Sequence, residues 1–462
     1  MTLVIRNALS PEGRQVDLRL DAGRIVEIGQ ALASAGDTLD AAGATVLPGL
    51  HDHHIHIFAE AARRQSVDLS GLTSGDMIKT RLAQAAIGTA PGQWVRAIGY
   101  DERAAGIPDR DVLDRWLVDR PVRLQDRTGA LWVFNSQAMD TLKGLDLPKG
   151  AERDSNGEPN GRFWREDDWI GHAIPRSLPD LSAFGETLSS MGLTGLSDAS
   201  WKNGVEEAEL LGQAHMLGHL PQKLMLMGTE ALGEQPGMHV GAVKLLIDHR
   251  SPPNLDDLAD RIIRARALGR NVAAHCVTSD ELALFLAALD LADGVRSGDR
   301  IEHGGVIPES AIAEIAARGL TVVTNPAFIH SRGERYRVTV PETGWSELYR
   351  ARSLIDAGIA MAAGSDAPYG PVDPWQGMRT ARDRLTMDGN PVSPVESVSA
   401  VTALSFYQSA ALLPGRRFRS IAAGQPADLI LCHGTMSDIL ADLTSERVQA
   451  TLISGKVVWQ RS

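Results

Sequence analysis

Residues 254–305 read NLDDLADRIIRARALGRNVAAHCVTSDELALFLAALDLADGVRSGDRIEHGG, and two periods alternate within them. In NLDDLADRIIRARALG and SDELALFLAALDLA apolar side chains recur every three or four residues, the spacing of one helix face. NVAAHCV and RIEHGG are short apolar runs ending on polar residues or glycine, and they read as strands covered on both faces. The rhythm continues through the helical ESAIAEIAARG at 309–319, TVVTNP at 321–326 and MAAGSDAP at 361–368. Strand followed by helix, repeated, implies a parallel sheet clothed in helices. A closed (β/α)8 TIM barrel is the leading α/β architecture, with an open doubly wound sheet second.

Outward from this core the text changes. LVIRNAL, VDLRLDAGRIVEIG and TLDAAGATVL near the start, and ADLILCHG and VQATLISGKVVWQ near the end, alternate like half-buried strands. Neither end carries enough apolar residues to stand alone, so the two are expected to form one small β-sandwich domain from 1–48 and 420–462. The barrel domain then spans 49–419. Within it, about 60–185 is rich in Trp, Arg, Asp and turns such as DSNGEPNG, and reads as an insertion over the barrel mouth.

Composition narrows the class. The 462 residues carry 46 basic against 58 acidic side chains, a net charge of −12, with no basic run to follow a phosphate backbone. Nucleic acid is not an expected partner. The start, MTLVIRN, lacks the basic and long apolar regions of a signal peptide, and no apolar run reaches membrane-spanning length. Two cysteines, Cys276 and Cys432, are too few for a disulfide framework. A cytoplasmic protein acting on a small molecule is the expectation, and its oligomeric state is left open.

In a parallel barrel the active site gathers where the strands end. The polar residues at those places are His54 and His56 in PGLHDHHIHI (48–57), Lys244 in AVKLLID, His275 in NVAAHCV, His303 in RIEHGG and Asp366 in AAGSDAP. One histidine after a strand is usually a satisfied core residue. Four strand ends bearing His or Asp, with Lys on another, suit a divalent metal. Successive strand residues face opposite ways, so His54 and His56 share one face and His51 and His53 the other. Either pair could chelate; the position of His54 and His56 nearer the strand's end favours them. Asp52 on their face could orient an imidazole.

The spacing Asp52-x-His54-x-His56, followed by Lys244, His275, His303 and Asp366, resembles the metal-dependent amidohydrolase superfamily over nearly the whole chain. DAAGATVLPGLHDHHIHI looks like that family's entry into its first barrel strand, and IAAGQPADLILCHG like its return to the terminal β-domain. AAGSDAPYGPVDPWQGM and GYDERAAGIPDRDVLD resemble the branch, amidohydrolase family 3, that holds N-substituted formamide deformylase. The resemblance implies two divalent ions, zinc first, with Mn²⁺, Fe²⁺ and Ni²⁺ accepting the same ligands. It also implies a carbamylated Lys244, whose two oxygens bridge the ions. The other reading of Lys244 is a packed stem with a solvated head.

Two such ions would lower the pKa of a bridging water and polarise a scissile carbonyl, with Asp366 passing the water's proton to the leaving nitrogen. The expected reaction is hydrolysis of an amide-type C–N bond: N-acyl, N-formyl, carbamate or cyclic amide. A deaminase of the same superfamily is the nearest alternative, disfavoured because His275-Cys-Val-Thr278 replaces its usual His-x-x-Glu. A non-catalytic scaffold ranks last, since every expected ligand type is present. Trp132, Arg165, His330, Tyr336, Tyr369 and Trp375 are candidate pocket residues because they stand on inserted or strand-end loops. Where relatives of this branch read Gly-His before a Trp, this chain reads Gly129-Ala130-Leu131-Trp132. His215, His219, His239 and His249 have no partner spacing and read as ordinary.

Overall fold

The structure, a computed structural model, describes residues 2–33, 36–88, 90, 92–174 and 178–461. Its centre is an eight-stranded parallel sheet. In chain order the strands are β1 (Leu50–Ile55), β2 (Leu193–Asp198), β3 (Lys223–Gly228), β4 (Met238–Leu245), β5 (Val272–Cys276), β6 (Arg300–His303), β7 (Thr321–Thr324) and β8 (Ala360–Ala363). Each pairs with the next in the same direction. The seam between β8 and β1 is bridged just past β8, where Asp366 N donates to His54 O at 2.7 Å and His56 N to Ala367 O at 2.9 Å. The sheet is therefore a nearly closed TIM barrel, and its seam lies among the predicted site residues.

The helices form where the sequence periods place them. In Leu255–Ala267 the buried positions Leu258, Ala259, Ile262 and Ala265 make one face, and Asn254 caps the start through Asp256 N at 2.8 Å. Ser279–Leu291 begins with a capping box: Thr278 accepts from Glu281 N, and the Glu281 carboxylate accepts from Thr278 N at 3.0 Å. That box fixes the chain immediately after β5, and so the exit of His275.

Strands from both ends of the chain share one further sheet. Leu3–Leu9 pairs with Gln15–Asp21, Asp37–Asp40 and Thr45–Pro48, and Thr45–Pro48 pairs with Leu429–Cys432, which continues to Val448–Ile453 and Lys456–Gln460. Alternate residues, among them Ile5, Leu18, Val46, Leu429 and Leu452, form its apolar core. By density of contacts, residues 1–57 and 181–462 make one compact unit and 58–180 another. The second unit has its own six-stranded sheet and its own core around Leu82, Val95, Leu124 and Val133. Among the described residues no helix is long and apolar enough to cross a membrane.

Candidate metal centre

The barrel's strand ends bring the predicted ligands together. His54 and His56 lie with Nε2 3.4 Å and 3.0 Å from Asp366 Oδ1, and His303 Nδ1 is 3.7 Å from Asp366 Oδ2. The His303 ring stands 4.6 Å from that of His54 and 4.5 Å from that of His275. Lys244, from β4, lines the same cavity of about 410 Å³. Gly364 allows the close approach at the seam: a Cβ there would press into the His54 backbone, 2.8 Å from its Cα. His303 and Asp366 both hold left-handed backbones, φ 70° and 53°, which turn their side chains away from ordinary strand alternation.

The site pairs its charges closely, with His56 Nε2 at 3.0 Å from Asp366 Oδ1, yet leaves some polar atoms without a hydrogen bond. His54 Nε2, Lys244 Nζ and Asp366 Oδ1 are buried and lack a hydrogen-bond partner among the described residues. Burial holds the Lys244 ammonium below its ordinary range, although Glu302 and Asp366 offset part of that penalty. Burial, then the Lys244 charge, pushes His275 down to about 4. For Asp366 burial alone would raise the carboxyl, but His303, His54 and His56 outweigh it and keep the carboxyl well below its usual range. Two imidazoles that burial holds in the neutral form, those of His275 and His303, share one cavity with an ionised carboxylate and orphaned polar atoms, which matches the donor set of a divalent ion. His54, His56 and Asp366 offer atoms within 4.8 Å of one another.

Outer partners fix the rings. His54 Nδ1 pairs with the buried Glu302 carboxylate, which Arg300 in turn neutralises. His56 Nδ1 meets Ser200 Oγ at 3.0 Å, and His303 Nδ1 meets Asn325 Oδ1 at 2.8 Å. Asp52 does not orient an imidazole: its Oδ1 accepts the backbone N–H groups of His54 and Ser365, each at 3.0 Å, and ties β1 to the seam. His51 and His53 face the other way and end on Ser197 and Ser409 hydroxyls at 2.9 Å and 3.0 Å. Glu302→Gln keeps the shape but removes the charge that holds His54, so metal affinity should fall about 10–100-fold. Chelator competition measures it. Unchanged affinity would mean that Glu302 only balances Arg300.

Of the predicted pocket residues, Tyr369 lines the cavity, its ring 5.6 Å from that of His56. Trp375 does not: it is fully buried, with its indole N–H on Met191 O at 2.9 Å. His330 and Tyr336 are not among the lining residues; Tyr336 meets the lining Tyr349 through its hydroxyl at 3.4 Å. Trp132 and Arg165 belong to the unit 58–180. There Trp132 is buried, donates to Asp167 at 2.8 Å and is flanked by Arg96 and Arg123, while Arg165 is exposed. Sequence reasoning missed Glu302, Asn325 and Ser200, and it dismissed His249, which lines the cavity and bonds Glu281 at 3.0 Å.

These observations agree with the comparisons. Residues 37–459 match the model of the amidohydrolase family. The N-substituted formamide deformylase of Arthrobacter pascens is 27% identical over 510 residues, covering 95% of this chain and 93% of that one. In fold the chain is similar to uncharacterised metal-dependent hydrolases of Pyrococcus horikoshii, with a TM-score of 0.76 at 18% identity over 94% of this chain and 98% of that one. The Pyrococcus furiosus counterpart also has a TM-score of 0.76, at 21% identity over 94% of this chain and 100% of that one. The chain belongs to the amidohydrolase family, and is an enzyme that hydrolyses carbon–nitrogen bonds.

Proposed function

We propose that the enzyme cleaves an amide-type bond of a small molecule, N-acyl, N-formyl, carbamate or cyclic amide, at a centre of two divalent ions, zinc first. His54, His56, His275, His303, Asp366 and a carbamylated Lys244 would hold them. The observation that supports this most is the convergence on one cavity of three buried polar atoms, His54 Nε2, Lys244 Nζ and Asp366 Oδ1, that make no hydrogen bond among the described residues. Carbamylation needs a neutral amine, and burial favours that form of Lys244. When bound, the ions supply Lewis acidity, which makes water nucleophilic at neutral pH and polarises a carbonyl. Asp366 would take the water's proton and return it to the departing nitrogen.

The deaminase reading needs a carboxylate free to move protons. Glu281 is a glutamate in the cavity near His275, but both of its oxygens are engaged. Oε1 accepts from His249 N at 3.1 Å and meets its Nδ1 at 3.0 Å; Oε2 accepts from Val277 N at 2.6 Å and Thr278 N at 3.0 Å. A carboxylate so occupied holds a helix start rather than shuttling protons.

The test is a panel of N-acyl, N-formyl, carbamate and cyclic amide compounds, with aminopurines and aminopyrimidines, assayed on metal-loaded and chelator-stripped enzyme. At least one amide should be cleaved, stripping should abolish the reaction, and adding zinc should restore it. Ammonia release from an aminated base, with every amide untouched, would reverse the choice.

A further inference from the structure

One charged group in the cavity is not accounted for by metal chemistry. Arg332 stands on the helix Ala327–Thr339 that follows β7 and lines the same cavity as the predicted ligands. Its guanidinium lies over the buried Phe328 ring, 3.8 Å from the centroid, and Nη2 donates to Tyr369 O at 2.8 Å. Tyr369 N in turn donates to Asp366 O at 2.7 Å, so Arg332 is tied to the turn that carries Asp366. Among the described residues no carboxylate pairs with Arg332. The neighbouring Arg250 differs: it is closed on Asp248 through two bonds of 3.0 Å and 2.9 Å.

A guanidinium does not lose its proton at any working pH, so a half-buried, unpaired one keeps a cost that an arriving anion can relieve. Stacking on Phe328 uses one face and Tyr369 O one N–H, which leaves other donors for a planar acceptor. A single guanidinium without a carboxylate partner among the described residues suits one unit of negative charge, a carboxylate rather than a phosphate dianion. Phe328 lies against it, and Leu246, Val277 and Tyr349 add apolar lining to the same cavity.

Resting on the hydrolase reading above, we propose that Arg332 binds a carboxylate of the substrate, so that the enzyme's amides are ones bearing a free acid group, such as N-acyl amino acids. The carboxylate docks on Arg332 while the scissile amide faces His54, His56 and Asp366, and the apolar wall takes the side chain between them. Arg332 then sets which amide is accepted, without acting on the bond.

The experiment uses matched pairs: N-acyl amino acids of both configurations and succinamic acids, each beside its neutral carboxamide. Metal-loaded wild type, Arg332→Lys and Arg332→Met are compared by kcat/KM and by calorimetric binding. Wild type should prefer acids, and Arg332→Met should collapse the acid-to-amide ratio by about 10–100-fold, mainly through KM, with metal content retained. Arg332→Lys should recover part of it. Equal use or binding of acid and amide by wild type overturns the proposal. So does an acid preference that survives Arg332→Met, which would put the anion on the metal. Metal-dependent turnover without acid preference leaves the hydrolase standing and removes this proposal. Arg332-dependent binding of acids with no cleavage of any amide does the reverse.

Discussion

Asp366→Asn should leave the fold and much of the bound metal in place while lowering turnover about 10³-fold or more. The reason is specific to its position. Asp366 Oδ1 is buried, lacks a hydrogen bond and faces His54 Nε2 and His56 Nε2 at 3.4 Å and 3.0 Å. An amide in its place can still offer an oxygen toward those partners but cannot accept a proton at neutral pH. Its backbone role is unaffected, since the seam bond from residue 366 to His54 O uses the main-chain N–H. The left-handed φ of 53° is one that Asn tolerates as readily as Asp. Metal analysis and circular dichroism alongside kcat separate a lost proton carrier from a lost site. Turnover within tenfold of wild type would remove Asp366 from the proton path and leave it as a ligand only.

How much of this was legible in the sequence depends on which physical rule governs each residue. The barrel follows from local periodicity, and NVAAHCV and RIEHGG are β5 and β6 almost to the residue. His54 and His56 separate from His51 and His53 because a strand alternates its side chains, and the opposite pair indeed ends on serine hydroxyls. Glu302 was missed by the same rule. Alternation sets it opposite to His303, but His303 leaves the strand at φ 70°, so both neighbours reach the site, one through His54 and one directly.

Trp132 stands on a strand for a reason the local pattern also holds. A turn-rich stretch suggests a loop, yet LWVF is apolar throughout and forms a strand buried on both sides. Arg332 and its acceptor Tyr369 are 37 residues apart. No local period couples two positions whose meeting is set by how consecutive barrel loops return. His249 was invisible likewise, because its partner Glu281 looks from sequence like nothing more than the third residue of a helix.

Lys244→Ala should lose at least one metal and reduce activity by at least about 100-fold, more than the 10–100-fold typical of an outer partner. The lysine's surroundings argue for a role beyond packing. Nζ is buried without a partner, on a strand whose neighbour β5 delivers His275 and in a cavity shared with His54, His303 and Asp366. An ammonium there repels any cation the histidines would bind, whereas the carbamate is an anion with two ligand oxygens. Lys244→Arg makes the contrast sharper, because a guanidinium neither neutralises nor takes up carbon dioxide; it should be as inactive as the alanine variant despite keeping the charge. If Lys244 serves as the proposed carbamate, acetate or propionate added with zinc to Lys244→Ala should restore part of both metal and activity by standing in for its carboxylate, and should do nothing for Lys244→Arg, where the side chain fills that space. Native mass measurement of the wild type should show one added carbon dioxide, absent from both variants. Full activity in Lys244→Ala would reduce the centre to the ion that His54, His56 and Asp366 can hold between them.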